Sequence, residues 1–280
     1  MDNNWVIQNL ESALETWNRH FAEIVQLLST GPESFRGGGV WQVIVGINGA
    51  LMAVAYALLA LFFVMGMFKT ASGVSELKRP EIAVKMFIRF ACAQAAITYC
   101  MDIMLALFAI CQGILSTVVT QAGAISEQTA ALPAEISQAI LDAGFWQSIP
   151  LWLVTILGSI LVTVLSFVMI FTVYGRFFRI YCYTAIAPVA LSTFAGEGTA
   201  HYGTAFLKSY TAVCLEGVII VVACMIFSSF ASAPPQSVTA GELTAVQLVW
   251  NYVAQLAFNL LVLVGTVKMS ERLTKEMLGL

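Results

Sequence analysis

The feature that most constrains this chain is the run of apolar residues at positions 40–67, which only Gln42 and Asn48 interrupt. About 20 consecutive apolar residues are enough for a helix to cross the hydrocarbon core of a bilayer. A second run, at residues 149–174, contains no charged side chain. Hydrophobic residues make up 59% of the chain and charged residues 10%, against roughly 45–50% and 25% in soluble domains. We therefore predict an all-α, polytopic transmembrane helical bundle.

Five stretches are long and apolar enough to span the membrane, and the distribution of basic residues between them predicts their direction. These spans are residues 40–67, 90–119, 149–174, 206–230 and 246–267. Lys and Arg follow the first, third and last spans, whereas the segments at 120–147 and 231–243 contain neither. Because Lys and Arg favour cytoplasmic loops, we predict a multi-pass protein of the cell (cytoplasmic) membrane with its N-terminus outside and its C-terminus inside.

Residues 177–202 are apolar enough to form a sixth span, but their flanks argue against a crossing. Arg176 and Arg179 precede the segment and Lys208 follows it, and the charge rule places all three in the cytoplasm. A crossing would also give an even number of spans, which is incompatible with termini on opposite sides. We predict a helix, or a broken hairpin, that is re-entrant in the inner leaflet or buried among other helices and is bent at Pro188.

Residues 1–39 are predicted to form an extracytoplasmic amphipathic helix followed by a Gly-rich hinge, before a transmembrane domain at 40–280. Apolar residues recur at spacings of three and four, with charged residues between them. Two interpretations of the apolar face are open: the helix lies on the membrane or on its own domain, or it docks another subunit. Our working hypothesis is an assembly contact formed by Leu10, Leu14, Trp17, Phe21, Ile24 and Leu28.

Two carboxylates interrupt apolar spans, namely Asp102 and Glu216, and Asn48 and Asn259 are lesser polar insertions. Ionisable groups at membrane depth are costly and usually face a bundle interior or an aqueous cavity. They are candidates for pore-lining or coupling residues, or for hydrogen-bonded contacts between helices. No base within a span was identified beside them in the sequence.

Basic residues at the predicted cytoplasmic side form a candidate cytoplasmic mouth. They could meet anionic lipid, a partner ATPase or passing nucleic acid, although a purely topogenic or lipid-binding role also explains them. The net charge of -3 gives the chain no general basic field that would bind nucleic acid. The residues of this mouth are Lys78, Arg79, Lys85, Arg89, Arg176, Arg179 and Lys208.

The sequence contains no motif that predicts an enzyme. A P-loop, an HExxH motif and a GxSxG motif are all absent. The six cysteines include no CxxC pair and no Cys/His cluster, so we predict buried thiols rather than a disulfide framework or a zinc site. We expect no cofactor and no metal.

Three sequence stretches carry a family resemblance: YGRFFRIYCYTAIAP at residues 174–188, LSTFAGE at 191–197 and FLKSY at 206–210. In these stretches the chain resembles the TrbL family, also called the sixth VirB protein family, which are polytopic membrane subunits of conjugative type IV secretion systems. It is most similar to the variants carried by conjugative elements of Gram-positive bacteria. Outside residues 174–230 the likeness is mainly one of length and span pattern.

The resemblance implies about five spans with the N-terminus outside, and a channel or scaffold that helps single-stranded DNA with bound relaxase to cross the membrane. Implied partners are further copies of the chain, membrane lipid, other type IV secretion subunits including ATPases and extracytoplasmic channel proteins, and transiently the DNA. The family has no catalytic motif to transfer. The alternative from another class is a self-sufficient secondary transporter for a small solute that uses Asp102 and Glu216.

Overall fold

The computed structural model describes residues 4–71, 80–121, 132–141, 145–231 and 244–280, and these ranges contain helices and no strand. Within these ranges, two short 3₁₀ helices occupy Phe35–Gly38 and Thr193–Ala195. The predicted all-α class is therefore confirmed. The α-helices of the described ranges are α1 (Asn4–Ser29), α2 (Gly39–Ala71), α3 (Pro80–Thr98), α4 (Cys100–Gln121), α5 (Ala134–Leu141), α6 (Phe145–Ser192), α7 (Ala200–Ala231) and α8 (Ala245–Met277).

Five helical segments among the described residues are long and apolar enough to cross a membrane, as predicted. They are Phe35–Phe68, Cys100–Thr120, Ile149–Ala195, Ala200–Phe227 and Val246–Met277. The predicted second span, at 90–119, combines the end of α3 with α4. The Tyr99 amide donates to the Ala95 carbonyl and the Tyr99 carbonyl accepts from Ile103, both at 2.9 Å, so helical hydrogen bonding continues from α3 into α4. The direction of the spans stays a prediction.

The third predicted span and the predicted re-entrant element belong to one helix. Helix α6 runs for 48 residues without a break at 174–177, so residues 177–192 continue the third predicted span as one helix. Helix α6 therefore has more than twice the roughly 20 residues that a span requires. Pro188 does not end the helix, which continues to Ser192 and is followed by the 3₁₀ turn.

The chain divides into two compact units. Unit 1 comprises Met1–Ser29, Leu115–Tyr174 and Gly217–Ser270, and unit 2 comprises Thr30–Ile114, Gly175–Glu216 and Glu271–Leu280. The core of unit 1 joins four helices through Leu10 of α1, Ile140 of α5, Leu151 of α6 and Val249 of α8. Burial of such side chains is the main source of stability wherever they would otherwise be exposed to water.

Helix α1 buries its apolar face within unit 1. Five of the six residues predicted for an assembly contact are almost inaccessible, while Phe21 is half-buried. The Trp17 ring lies 6.1 Å from that of Phe227 in α7. The chain's own helices therefore occupy the face that we had assigned to another subunit, and the alternative, a helix packed on its own domain, describes the structure. The five almost inaccessible residues are Leu10, Leu14, Trp17, Ile24 and Leu28.

In unit 2, the second half of α6 runs beside α2. Near the start of α2, the Tyr181 hydroxyl donates a 2.8 Å hydrogen bond to the Pro32 carbonyl. Near its end, the Gly196 backbone comes so close to the Phe62 carbonyl oxygen that a Cβ on Gly196 would lie 3.3 Å from it. Contacts advance in the same order along both segments, so the two are parallel over most of the length of α2.

Candidate functional site: a buried ion-pair cluster

Three helices of the chain meet at a set of paired charges. Arg176 and Arg179 of α6 are three residues apart and therefore lie on one helix face. The Arg179 Nη2 atom donates to both carboxylate oxygens of Glu216 in α7, at 2.8 and 2.7 Å. Its Nη1 atom makes an ionic contact of 2.5 Å with Glu271 of α8, although it is not aligned there as a hydrogen-bond donor. One guanidinium thus bridges two carboxylates from different helices.

The outer end of the cluster is open to solvent and its inner end is not. Glu271 also accepts a 2.7 Å bond from Lys275, one turn further along α8, and both side chains are 43% exposed. Glu216, in contrast, is 1% exposed. We call Arg176, Arg179, Glu216, Glu271 and Lys275 the ion-pair cluster.

Arg176 is the most deeply buried base of the cluster, at 1% exposure. Its Nε and Nη2 atoms donate to the backbone carbonyls of Val213 and Cys214 in α7, at 3.1 and 3.0 Å. Its guanidinium carbon lies 5.9 and 5.8 Å from the ring centres of Phe108 and Phe177, within the range of a cation–π interaction. The Nη1 atom has no hydrogen-bond partner among the described residues.

This arrangement is suited to holding helices together. A buried charge is tolerated when it is paired and hydrogen-bonded, and each carboxylate of the cluster is matched by a base from the same chain. Glu216 was predicted as a pore or helix-contact residue, and the two hydrogen bonds that it accepts from Arg179 Nη2 favour the helix contact. The Glu216 carboxylate therefore serves as a contact between α6 and α7.

The two arginines do not belong to an exposed basic mouth. Arg176 is buried and Arg179 is only partly exposed, and the fold uses both internally. Moreover, Phe177 stacks on Phe35 with ring centres 4.2 Å apart, so the start of the first span lies next to residues that we had assigned to the opposite membrane face. The start of the first span cannot lie on the outer side of the membrane while Arg176 and Arg179 lie on the cytoplasmic side. The charge rule assumes that bases are solvated, whereas Arg176 is hydrogen-bonded to backbone carbonyls and Arg179 is paired with carboxylates inside the protein.

The other members of the predicted basic mouth are scattered. Lys85 of α3 and Lys208 of α7 are exposed. Arg89 lies 3.8 Å from Glu197 in the turn before α7, which is a long, solvated ion pair of little energetic weight. Lys78 and Arg79 lie outside the described residues.

The remaining polar candidates do not join the cluster. Asp102 is exposed on α4 and Asn259 is half-buried on α8. No hydrogen bond or ion pair between Asp102 and Glu216 is found within the described ranges.

Asn48 has a specific partner, which the sequence did not reveal. Pro188 lacks an N–H group, so the carbonyl of Thr184, four residues earlier in α6, loses its helical donor. The Asn48 Nδ2 atom donates to that carbonyl at 2.7 Å, and the Asn48 Oδ1 atom accepts from the Cys100 thiol at 3.3 Å. The buried amide thus replaces the missing helical hydrogen bond and joins α2, α4 and α6.

Replacing Asn48 with Leu should destabilise the purified chain by about 1–3 kcal/mol, because a buried carbonyl loses its donor. The double variant N48L/P188A should recover most of the loss, since an alanine in place of Pro188 restores the backbone N–H. Denaturation in detergent measures both. If N48L and N48L/P188A are equally unstable, Asn48 does not act on the Thr184 carbonyl.

The ion-pair cluster, as defined above, includes no cysteine and no metal-binding set of side chains. No group of three His, Cys, Asp or Glu side chains that could hold a metal occurs in the portion of the chain that the structure describes. Four cysteines are buried as predicted, whereas Cys92 and Cys182 are exposed, contrary to the prediction.

The chain matches the family model described as TrbL/VirB6 plasmid conjugal transfer like protein over residues 17–188, which is more than half of its length. The chain belongs to the TrbL/VirB6 family. It is accordingly a multi-pass membrane protein of conjugation systems, and family membership implies association with other type IV secretion components. No curated protein and no solved structure gave a significant match.

The residues covered by the family match differ from the stretches in which the sequence analysis found the resemblance. It covers α6 as far as Pro188, including Arg176 and Arg179, but stops before residues 191–197 and 206–210. It also begins at Trp17 in α1, where only span pattern had suggested a TrbL/VirB6 protein. Sequence reasoning missed the Arg179–Glu216 pair, although opposite charges within apolar helices were an available signal for it.

Proposed function

We propose that this TrbL/VirB6 protein is a non-enzymatic channel or scaffold subunit of a conjugative type IV secretion system in the cytoplasmic membrane. It assists the transfer of single-stranded DNA with bound relaxase, and it works as a homo-oligomer with ATPase subunits and extracytoplasmic channel proteins. The family match over residues 17–188 carries this proposal. The ion-pair cluster supports it, because its carboxylates contribute to helix packing rather than to a free binding site.

Isolation of the chain from cross-linked donor membranes tests the partners. A tagged chain should co-isolate with the coupling ATPase and with extracytoplasmic subunits of the same system. The matched control is a tagged multi-pass protein of similar abundance from the same membranes, which should retain neither. Equal recovery with both baits would contradict the proposal.

The alternative, a small-solute transporter using Asp102 and Glu216, loses support from their positions. Glu216 is paired with Arg179, and Asp102 is exposed on another helix. Uptake of solute by liposomes that contain only the purified chain would revive this alternative, and we expect none.

A further inference from the structure

Within unit 1, α1 runs beside the first half of α6 along nearly its whole length. The Trp5 and Trp152 rings lie 6.2 Å apart, and the His20 and Phe167 rings lie 5.5 Å apart. The same offset separates both pairs in sequence, so the helices are parallel. An amphipathic helix that rests on a membrane surface would instead lie across the spans.

The first half of α6 presents an apolar stripe on its outer side. Its exposed residues recur at spacings of three and four, and the stripe covers about 33 Å, close to the thickness of the hydrocarbon core. Beyond residue 171 more of the helix is buried in protein, although Phe178, Cys182 and Ile186 are exposed. The part of α6 that α1 accompanies therefore carries the longest uninterrupted section of this lipid-suited face. The stripe consists of Ile149, Leu153, Leu157, Ile160, Val164, Phe167 and Phe171.

The outer face of α1 has the opposite character. Gln8, Glu11, Glu15 and Arg19 recur at spacings of three and four and are all exposed. A charged side chain facing hydrocarbon costs about 2.5–3.5 kcal/mol on insertion scales, so this face is unsuited to lipid. The face holds two carboxylates but only one base, Arg19, so burying it against protein would leave one carboxylate unmatched. Water is the environment that fits them.

We infer that the outer face of α1 lines a water-filled passage at membrane depth in the assembled machine. The inference rests on the proposed function and on the first half of α6 crossing the membrane, and it replaces the prediction that residues 1–39 are extracytoplasmic. It names the part of the chain that faces the transported material. The face carries both signs of charge and amides, so it solvates a passing polymer without binding it strongly.

Cysteine labelling in mating donor cells tests the inference. In a parent that lacks the exposed Cys92 and Cys182, single cysteines replace Glu15 or Ala22 on the outer face of α1. Matched cysteines replace Ile160 or Phe171, at similar positions along the lipid-suited stripe of α6. A charged thiol reagent should modify E15C and A22C and abolish their DNA transfer, whereas I160C and F171C should react only with a lipid-soluble maleimide.

Two outcomes overturn the inference. If the charged reagent does not modify E15C and A22C, lipid or protein covers the face. If it modifies I160C and F171C equally well, both helices lie in bulk water. In either case normal transfer by the unlabelled parent leaves the proposed function standing, whereas transfer by donors without the chain would remove that function whatever the labelling shows.

Discussion

Replacing Arg179 with Ala is expected to destabilise the purified chain by about 3 kcal/mol, because removing one partner of a buried ion pair leaves the other charge uncompensated. The stranded group is the Glu216 carboxylate, which is 1% exposed and accepts two bonds from Arg179. The loss is measurable as a lower denaturant midpoint in detergent, followed by tryptophan fluorescence.

A matched pair on α8 provides the control. Arg272 and Glu276 are also 2.7 Å apart, but their side chains are 79% and 56% exposed, and exposed pairs contribute little. R272A should therefore show no measurable change. The double variant R179M/E216M should recover most of the stability lost in R179A, since apolar residues can replace a buried pair. Equal losses in R179A and R272A would show that burial of Glu216 is not what makes the Arg179 pair important.

Replacing Trp17 with Ala in α1 is expected to destabilise the isolated chain by about 3–5 kcal/mol, the usual range for removing a buried aromatic side chain. Trp17 is 4% exposed and its ring contacts those of Phe21 and Phe227. Glu15, two residues earlier on the exposed face, provides the control, and E15A should leave the stability unchanged. The same denaturation measurement applies.

This prediction separates the two interpretations of α1. A helix whose apolar face docked another subunit would lose complex formation on W17A while the isolated chain kept its stability. The structure predicts instead that W17A destabilises the isolated chain, whether or not other subunits are present. A W17A chain as stable as the parent, but unable to assemble, would restore the assembly-contact hypothesis.

The fold class and the number of spans could be predicted because they depend on the length of each apolar run. Residues 40–67 or 149–174 need no partner to indicate a membrane helix. The periodicity of α1 likewise identified which residues are buried, such as Leu14 and Trp17. It did not identify what covers them, because periodicity describes one helix and not its neighbour.

The ion-pair cluster could not be predicted in the same way. Arg179 and Glu216 are 37 positions apart, and Asn48 lies 136 positions from Thr184, so each partnership depends on how helices pack. The sequence could have suggested that Pro188 orphans a carbonyl, since that follows from its missing N–H. The donor that replaces the missing N–H can be identified only from the tertiary structure.

The predicted topology is weakened at one place for the same reason. The parity argument for a re-entrant element at 177–202 used Arg176 and Arg179 as cytoplasmic markers, and both are engaged inside the protein. Lys85 and Lys208, which are exposed, remain usable markers. The orientation of the spans now depends on bases of that kind.

The central claim is that conjugation requires this chain, and the transfer frequency of donor cells carrying an in-frame deletion of its coding sequence tests that claim most directly. The account predicts that transfer to recipients is lost, that the parental chain supplied in trans restores it, and that R272A restores it as well. Donors that lack the chain but transfer DNA at the parental frequency would contradict the account.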